Sequence, residues 1–183
     1  NWNWSDAGIA EMIPVNGKEG EFWCVRYFNA ENGFKWAPQK EWKNDFSELK
    51  EKIGYTTKDG NAFVPANGMY IVYINYPKGI ITIEPATVYG IGNCFGGWET
   101  AKYPLTVSGT KMTITTTAVG DLRLYAMSTG ATASVGGDWW RMEFVPRAGV
   151  IEYRANGGDQ AAVNVAAGKT VTLDFNVGTG TIQ

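Results

Sequence analysis

Hydrophobic and polar positions alternate most plainly in TVTLDFN at residues 170–176, where Val171, Leu173 and Phe175 interleave with Thr170, Thr172, Asp174 and Asn176. A period of two is that of a half-buried strand with one wet face. Shorter runs rich in β-branched and aromatic residues predict strands over 21–27 (EFWCVRY), 33–37 (GFKWA), 69–75 (MYIVYIN), 79–84 (GIITIE), 87–91, 111–117, 121–126 and 149–154. Glycine-containing connectors (NGK, ENG, ANG, AVGD, AAGK) supply the turns. One helix is predicted, over 44–53, where Asn44 or Asp45 caps a short amphipathic segment.

The pattern occurs twice. GNAFVPANGMYIVYIN at 60–75 and DQAAVNVAAGKTVTLDF at 159–175 pair Phe63 with Val163, Gly68 with Gly168 and Ile71 with Val171, followed by Gly79 and Gly180. An internal repeat makes the chain two copies of one module, so whatever recurs at matching positions is a candidate for the module's task. The expected division is residues 1–85 and 86–183, two β-sandwiches side by side. The seam falls at Glu84-Pro85-Ala86, since proline ends one strand and Thr87 begins the next. In the second copy an opening strand runs into Asn93-Cys94-Phe95-Gly96-Gly97-Trp98. The first copy begins only at its tryptophans, with Trp4 standing where Trp98 stands, so it is expected to lack its opening strand. The chain opens on NWNW without a signal peptide and is read as part of a longer protein.

Composition narrows the function classes. Sixteen basic against eighteen acidic side chains leave a net charge of −2, which provides no electrostatic footprint for nucleic acid or an anionic membrane surface. No run of eighteen apolar residues exists to insert into a bilayer. The chain has no histidine, which removes Ser-His-Asp chemistry and the commonest metal ligand. Glycoside hydrolysis needs two carboxylates about 5 to 10 Å apart. Asp6, Asp138 and Glu143 are candidates, but no acidic pair recurs at a shared position in both copies. The glycine-rich stretch 90–97 lacks the GK[ST] ending of a phosphate loop. Cys24 and Cys94 have no partner spacing and read as two buried, unpaired thiols. Neither catalysis, a cofactor nor a metal is expected.

The repeated chemistry is aromatic. Each copy carries a tryptophan after the opening-strand position, Trp4 (with Trp2 beside it) and Trp98. Each carries a basic residue on a middle strand, Lys35 in FKW and Arg123 in LRL. Each carries a second tryptophan ahead of a phenylalanine, Trp42 in EWKNDF and Trp139 or Trp140 in DWWRMEF. Trp23 and Trp36 lie within strand patterns and read as core. Two flat aromatic faces flanking a cation suit a sugar chain: C–H faces of pyranose rings stack on indole, and the cation hydrogen-bonds to hydroxyls. Such a platform is rigid, so binding costs little ordering entropy. The alternative is a structural spacer or a protein-docking module, in which the same exposed tryptophans serve a protein interface, where Trp is favoured at hot spots, and Lys35 and Arg123 are outward strand charges.

At these residues the chain resembles the SusE/SusF-like surface glycan-binding lipoproteins of Bacteroidetes polysaccharide-utilisation systems. The resemblance lies in the segment from Tyr89 to Trp98 (YGIGNCFGGW), in WSDAGIAEMIPVNGKEGEFW at 4–23, in GFKWAP at 33–38, and in the glycine turn and strand closing each module. It implies an all-β fold of tandem immunoglobulin-like β-sandwich modules binding polysaccharide or oligosaccharide, starch-like α-glucan by default. It implies binding by Trp98, Arg123 and Trp139 or Trp140 in one module, and by Trp4, Lys35 and Trp42 in the other. It further implies exposure at the cell outer membrane through a lipid anchor upstream of this segment, and association with an outer-membrane transporter complex.

Overall fold

The structure, a computed structural model, describes Trp4 and residues 9–183. Its first half holds β1 (Ile13–Pro14), β2 (Glu21–Phe28), β3 (Glu51–Ile53), β4 (Thr56–Lys58), β5 (Asn61–Phe63), β6 (Gly68–Asn75) and β7 (Ile80–Pro85). The second holds β8 (Thr87–Ile91), β9 (Tyr103–Pro104), β10 (Thr106–Ser108), β11 (Lys111–Thr115), β12 (Gly120–Met127), β13 (Glu143–Arg147), β14 (Val150–Tyr153), β15 (Val163–Val165), β16 (Thr170–Asp174) and β17 (Thr179–Ile182). A single helical turn, α1 (Thr132–Val135), and 3₁₀ turns at Asn93–Phe95 and Trp139–Met142 complete the assignment. The all-β expectation holds. No helix among the described residues is long and apolar enough to cross a membrane.

The first half is built on a sheet ordered β1-β2-β6-β7-β3, antiparallel except where β3 runs parallel to β7. The second is one path, β10-β11-β16-β17-β14-β13-β12-β8-β9, folded over at β14, which pairs with both β13 and β17. Met112, Val171 and Leu173 from one part of that path share a buried cluster with Val88, Leu122, Leu124 and Phe144 from the other. Alternating apolar residues of the two layers thus form a sandwich core.

β6 reads as an almost unbroken apolar run because both its faces are covered. Tyr70, Val72 and Ile74 pack with Trp36, Tyr55 and Ile83 inside the first half. Met69, Ile71 and Tyr73 point the other way and join Trp23 and Val25 in the cluster that also contains the core of the second half. Trp23, fully buried, sits 6.0 Å from the Phe144 ring and 5.6 Å from Tyr153. Around this contact Ser134 Oγ and Tyr73 OH both donate to Glu21, each at 2.7 Å. Arg141 Nη1 donates to the Asn16 carbonyl at 2.7 Å. One apolar cluster therefore runs through both halves.

The repeat superposes in a different register from the one the sequence suggests. Val72 pairs with Ile83 and Val171 with Ile182, so the closing hairpins match at a displacement of 99 residues (72 to 171, 83 to 182). Ile71 is therefore not the counterpart of Val171. A one-residue slip moves a strand residue to the opposite face, and Ile71 does face the other half. The matching turn glycines are Gly79 and Gly178, both with positive φ, rather than Gly79 and Gly180.

The predicted helix over 44–53 does not form. Asn44 has a φ of 58°, and Phe46 exchanges both backbone hydrogen bonds with Trp36 at 2.8 and 2.9 Å. The Phe46 and Trp36 rings stack 5.9 Å apart, and Glu51–Ile53 pairs in parallel with β7. Tertiary pairing here overrides a weak helical preference. Gly54 allows that pairing: a Cβ there would lie 1.9 Å from the Ile83 carbonyl oxygen. Residues 33–37 form two isolated bridges rather than a strand, Phe34 to Ala62 and Trp36 to Phe46. These bridges correspond to Leu122 with Val163 and Leu124 with Phe144 in the second half. There β8 pairs along the other edge of β12, whereas no strand among the described residues lies along the other edge of Phe34 and Trp36.

Candidate functional site

The correspondence of bridges puts Lys35 and Arg123 at equivalent places, each one residue beyond the bridged Phe34 or Leu122. The loops that follow return to Phe46 and Phe144 and carry Trp42 and the Trp139-Trp140 doublet. Asp6 and Trp2 lie outside the described residues.

In the first half Trp4, Lys35 and Trp42 line one cavity of about 1230 Å³. The Trp4 and Trp42 rings lie 4.6 Å apart and are tilted by 50°. Trp42 is 54% exposed, and Lys35 Nζ donates to Asp45 Oδ2 at 2.7 Å. That hydrogen bond holds the Asp45 carboxyl below its ordinary range. Phe22, Cys24, Val72 and Ile74 supply an apolar wall from one face of β2 and β6, and Arg26 stands in the same row. Arg26 is not among the residues the sequence repeat singles out, although it is a cation at an alternate position of an otherwise apolar and aromatic strand face.

In the second half Trp98 and Trp139 come together, with rings 6.3 Å apart and tilted by 43°. Trp98 is 46% exposed, and its Nε1 donates to Asn93 Oδ1 at 2.8 Å. Trp139 rests on Tyr125 at 5.7 Å, and Tyr125 stacks on Tyr89 at 5.6 Å. Tyr125 OH accepts from the Ala101 backbone N–H at 2.7 Å, which ties the loop after Trp98 to β12. Sequence pattern gave no hint of Asn93 or Tyr125, whose roles are visible only once the loop is closed.

The other two residues expected at this site make contacts of their own. Trp140 has the guanidinium of Arg141 4.4 Å from its ring centroid and that of Arg154 at 4.8 Å. Arg123 is buried, and its Nη1 donates to Glu143 Oε1 at 2.6 Å and to Asp159 Oδ1 at 2.9 Å. Burial opposes the Arg123 charge, but the bonds to Glu143 and Asp159 outweigh it and raise its pKa. Glu143 also accepts from Arg154 at 2.8 Å, so both its oxygens are engaged. Asp138 pairs with Arg141 at 3.0 Å. Glu143 and Asp138 are thus held by separate cations. Among the described residues no group of three or more His, Cys, Asp or Glu is placed to hold a metal ion.

What each half can offer chemically is a tilted pair of indoles at the surface, one pair beside an accessible ammonium and the other beside a neutralised, buried guanidinium. A comparison with known proteins finds that the family described as SusF/SusE starch specific CBMs, carbohydrate-binding modules, matches residues 1–83 and 87–181. The outer membrane protein SusF of Bacteroides thetaiotaomicron is 35% identical over 189 residues, covering 94% of this chain and 38% of the relative. The crystal structure of SusF from the same organism superposes with a TM-score of 0.84 at 35% identity, over 94% of this chain and 42% of that one. The chain spans about two fifths of the length of the relatives it matches.

Proposed function

The chain belongs to the SusF/SusE family of starch-specific carbohydrate-binding modules, and from that premise we propose that it captures starch-like α-glucan through two modules, residues 1–85 and 86–183. The family is one of binding modules rather than enzymes, in agreement with the expected lack of catalysis. The observation that carries the reading is the recurrence of a tilted indole pair: Trp4 with Trp42 at 50°, and Trp98 with Trp139 at 43°. Two flat faces inclined to one another fit a curved ligand face better than a flat one, and a helical glucan is curved. Stacking of sugar C–H faces on indole supplies affinity, and Lys35 supplies a hydrogen-bond donor in the first module.

The proposed setting is the outer face of the bacterial outer membrane, the compartment named for the relative SusF. A lipid anchor, a role in glycan uptake and an outer-membrane transporter complex as partner belong to the same proposal and rest on the family resemblance. Affinity electrophoresis in gels containing soluble polysaccharides tests it. Starch-type glucans should retard the protein, and Trp42→Ala and Trp98→Ala should each weaken the retardation. An absence of retardation by every member of a broad glycan panel would sink the proposal in favour of a docking or spacer role.

A further inference from the structure

We propose that Asn93 is a positioning residue that locks the Trp98 indole for ligand stacking and commits its only polar atom; this rests on the reading of Trp98 as a binding platform. An indole that is 46% exposed on a glycine-rich loop would ordinarily sample several rotamers, and ordering it on binding would weaken affinity. Here its Nε1 donates to Asn93 Oδ1 at 2.8 Å. Indole has one donor and no acceptor. With that donor engaged, Trp98 meets a ligand with its ring face alone, so the platform reads the apolar face of a sugar and not its hydroxyl pattern.

Both ends of the bond stand on a fixed frame. Gly92 and Gly97 exchange backbone hydrogen bonds at 2.8 and 3.2 Å, closing the loop so that Asn93 lies one residue inside that bridge and Trp98 one residue outside it. The Asn93 carbonyl accepts from the Gly96 N–H at 3.0 Å, and the Cys94 carbonyl accepts from Thr117 and Ala118 at 2.8 and 3.0 Å. Gly120, at a φ of +150°, presses on the turn so closely that a Cβ there would lie 2.6 Å from Asn93 Cβ. Asn93 is therefore held by main-chain contacts that do not involve the indole.

The test uses the full chain in a Trp42→Ala background, which isolates the second platform, with soluble starch as probe. Asn93→Ala should weaken affinity about fivefold, the scale of one lost hydrogen bond. It should also reduce the near-UV circular dichroism attributable to Trp98, and Asn93→Asp, which keeps an acceptor oxygen, should restore both. Loss of binding in Trp98→Ala with no change in Asn93→Ala overturns the positioning role and leaves the platform standing. Unchanged binding in Trp98→Ala overturns the platform itself. Should Asn93→Ala fail to fold, the Trp98 indole N–H of the unsubstituted protein, assigned by its absence in Trp98→Ala, decides. Slow exchange with solvent supports the proposal, and exchange as fast as that of a free indole overturns it.

Discussion

The Lys35 ammonium meets the Asp45 carboxylate at 2.7 Å, and the second half repeats the arrangement with Arg123 and Glu143 at 2.6 Å. In each half the acid directly precedes the phenylalanine that bridges to the residue after the cation: Phe46 to Trp36, and Phe144 to Leu124. The shared backbone register therefore accounts for the recurrence of a cation. The two copies differ in burial. The Lys35 and Asp45 side chains are 28% and 23% exposed, while Arg123 and Glu143 are 10% and 0% exposed.

Neutralising the two cations should accordingly have different consequences. Arg123→Met leaves the Glu143 carboxylate in the interior with one guanidinium fewer, and a loss of about 3 to 5 kcal/mol in urea denaturation is expected. Lys35→Met removes a solvated pair and should change the urea midpoint little, while weakening starch retention by the first module. Equal destabilisation by the two substitutions would contradict the assignment of distinct scaffold and surface roles.

The tryptophan doublet should divide in the same way. Trp139 forms a tilted pair with exposed Trp98, whereas Trp140 lies against Arg141 and Arg154. Trp139→Ala is expected to reduce retention in starch gels with a small change in melting temperature. Trp140→Ala should lower the melting temperature, since two cation–π contacts of about 0.5 to 2 kcal/mol each are lost along with packing. A Trp140→Ala protein with normal stability and no starch binding would reverse the assignment.

Much of this fold was legible because strand alternation reports burial directly. The runs at β2, β6, β7, β8 and β16 all surfaced as strands within a residue or two. The β4–β5 hairpin was also within reach, since Asp59 and Gly60 both take positive φ, the demand of a tight hairpin turn that an Asp-Gly pair meets. Its three-residue strands are too short to show a period. Residues 44–53 misled because their local pattern is helical, while Phe46 and Leu49 are drawn to a core assembled from distant strands. The site was legible as residue types and order. Residue type alone does not distinguish Trp139 from Trp140, or Lys35 at a cavity from Arg123 in an ion-pair network, because those differences depend in part on Arg154, fourteen residues after Trp140, and on Asp159, thirty-six residues after Arg123.

The shared core predicts cooperative unfolding. Trp23 is completely buried against Phe144 and Tyr153, across the boundary between the halves. Calorimetry should give one transition with matching calorimetric and van't Hoff enthalpies. Trp23→Ala should destabilise the whole chain by about 3 to 5 kcal/mol, as expected for a large side chain removed from a packed interior. Two separate transitions, with only the first shifted by Trp23→Ala, would show instead that the halves are energetically independent.

The thiols offer a pH-dependent check on both interiors, Cys94 in the shared core and Cys24 in that of the first half. Cys24 and Cys94 are buried and unpaired, and burial pushes each thiol from an ordinary 9.0 up to about 12, with Arg26 opposing the shift at Cys24. Both should react slowly with a disulfide reagent at pH 8, because the thiolate is the reactive species. Cys94, which unlike Cys24 does not line the cavity of the first half, should react only once denaturant exposes it. Between pH 9 and 12 the unfolded chain releases these protons while the folded chain keeps them, so their contribution to stability is complete below pH 9 and falls as pH rises toward 12. Cys94→Ala removes one of the two groups and should make that decline shallower, whatever its effect on stability at neutral pH. Parallel declines in the two proteins would mean that Cys94 ionises in the folded state as readily as in the unfolded chain, and that water reaches the turn beneath Trp98.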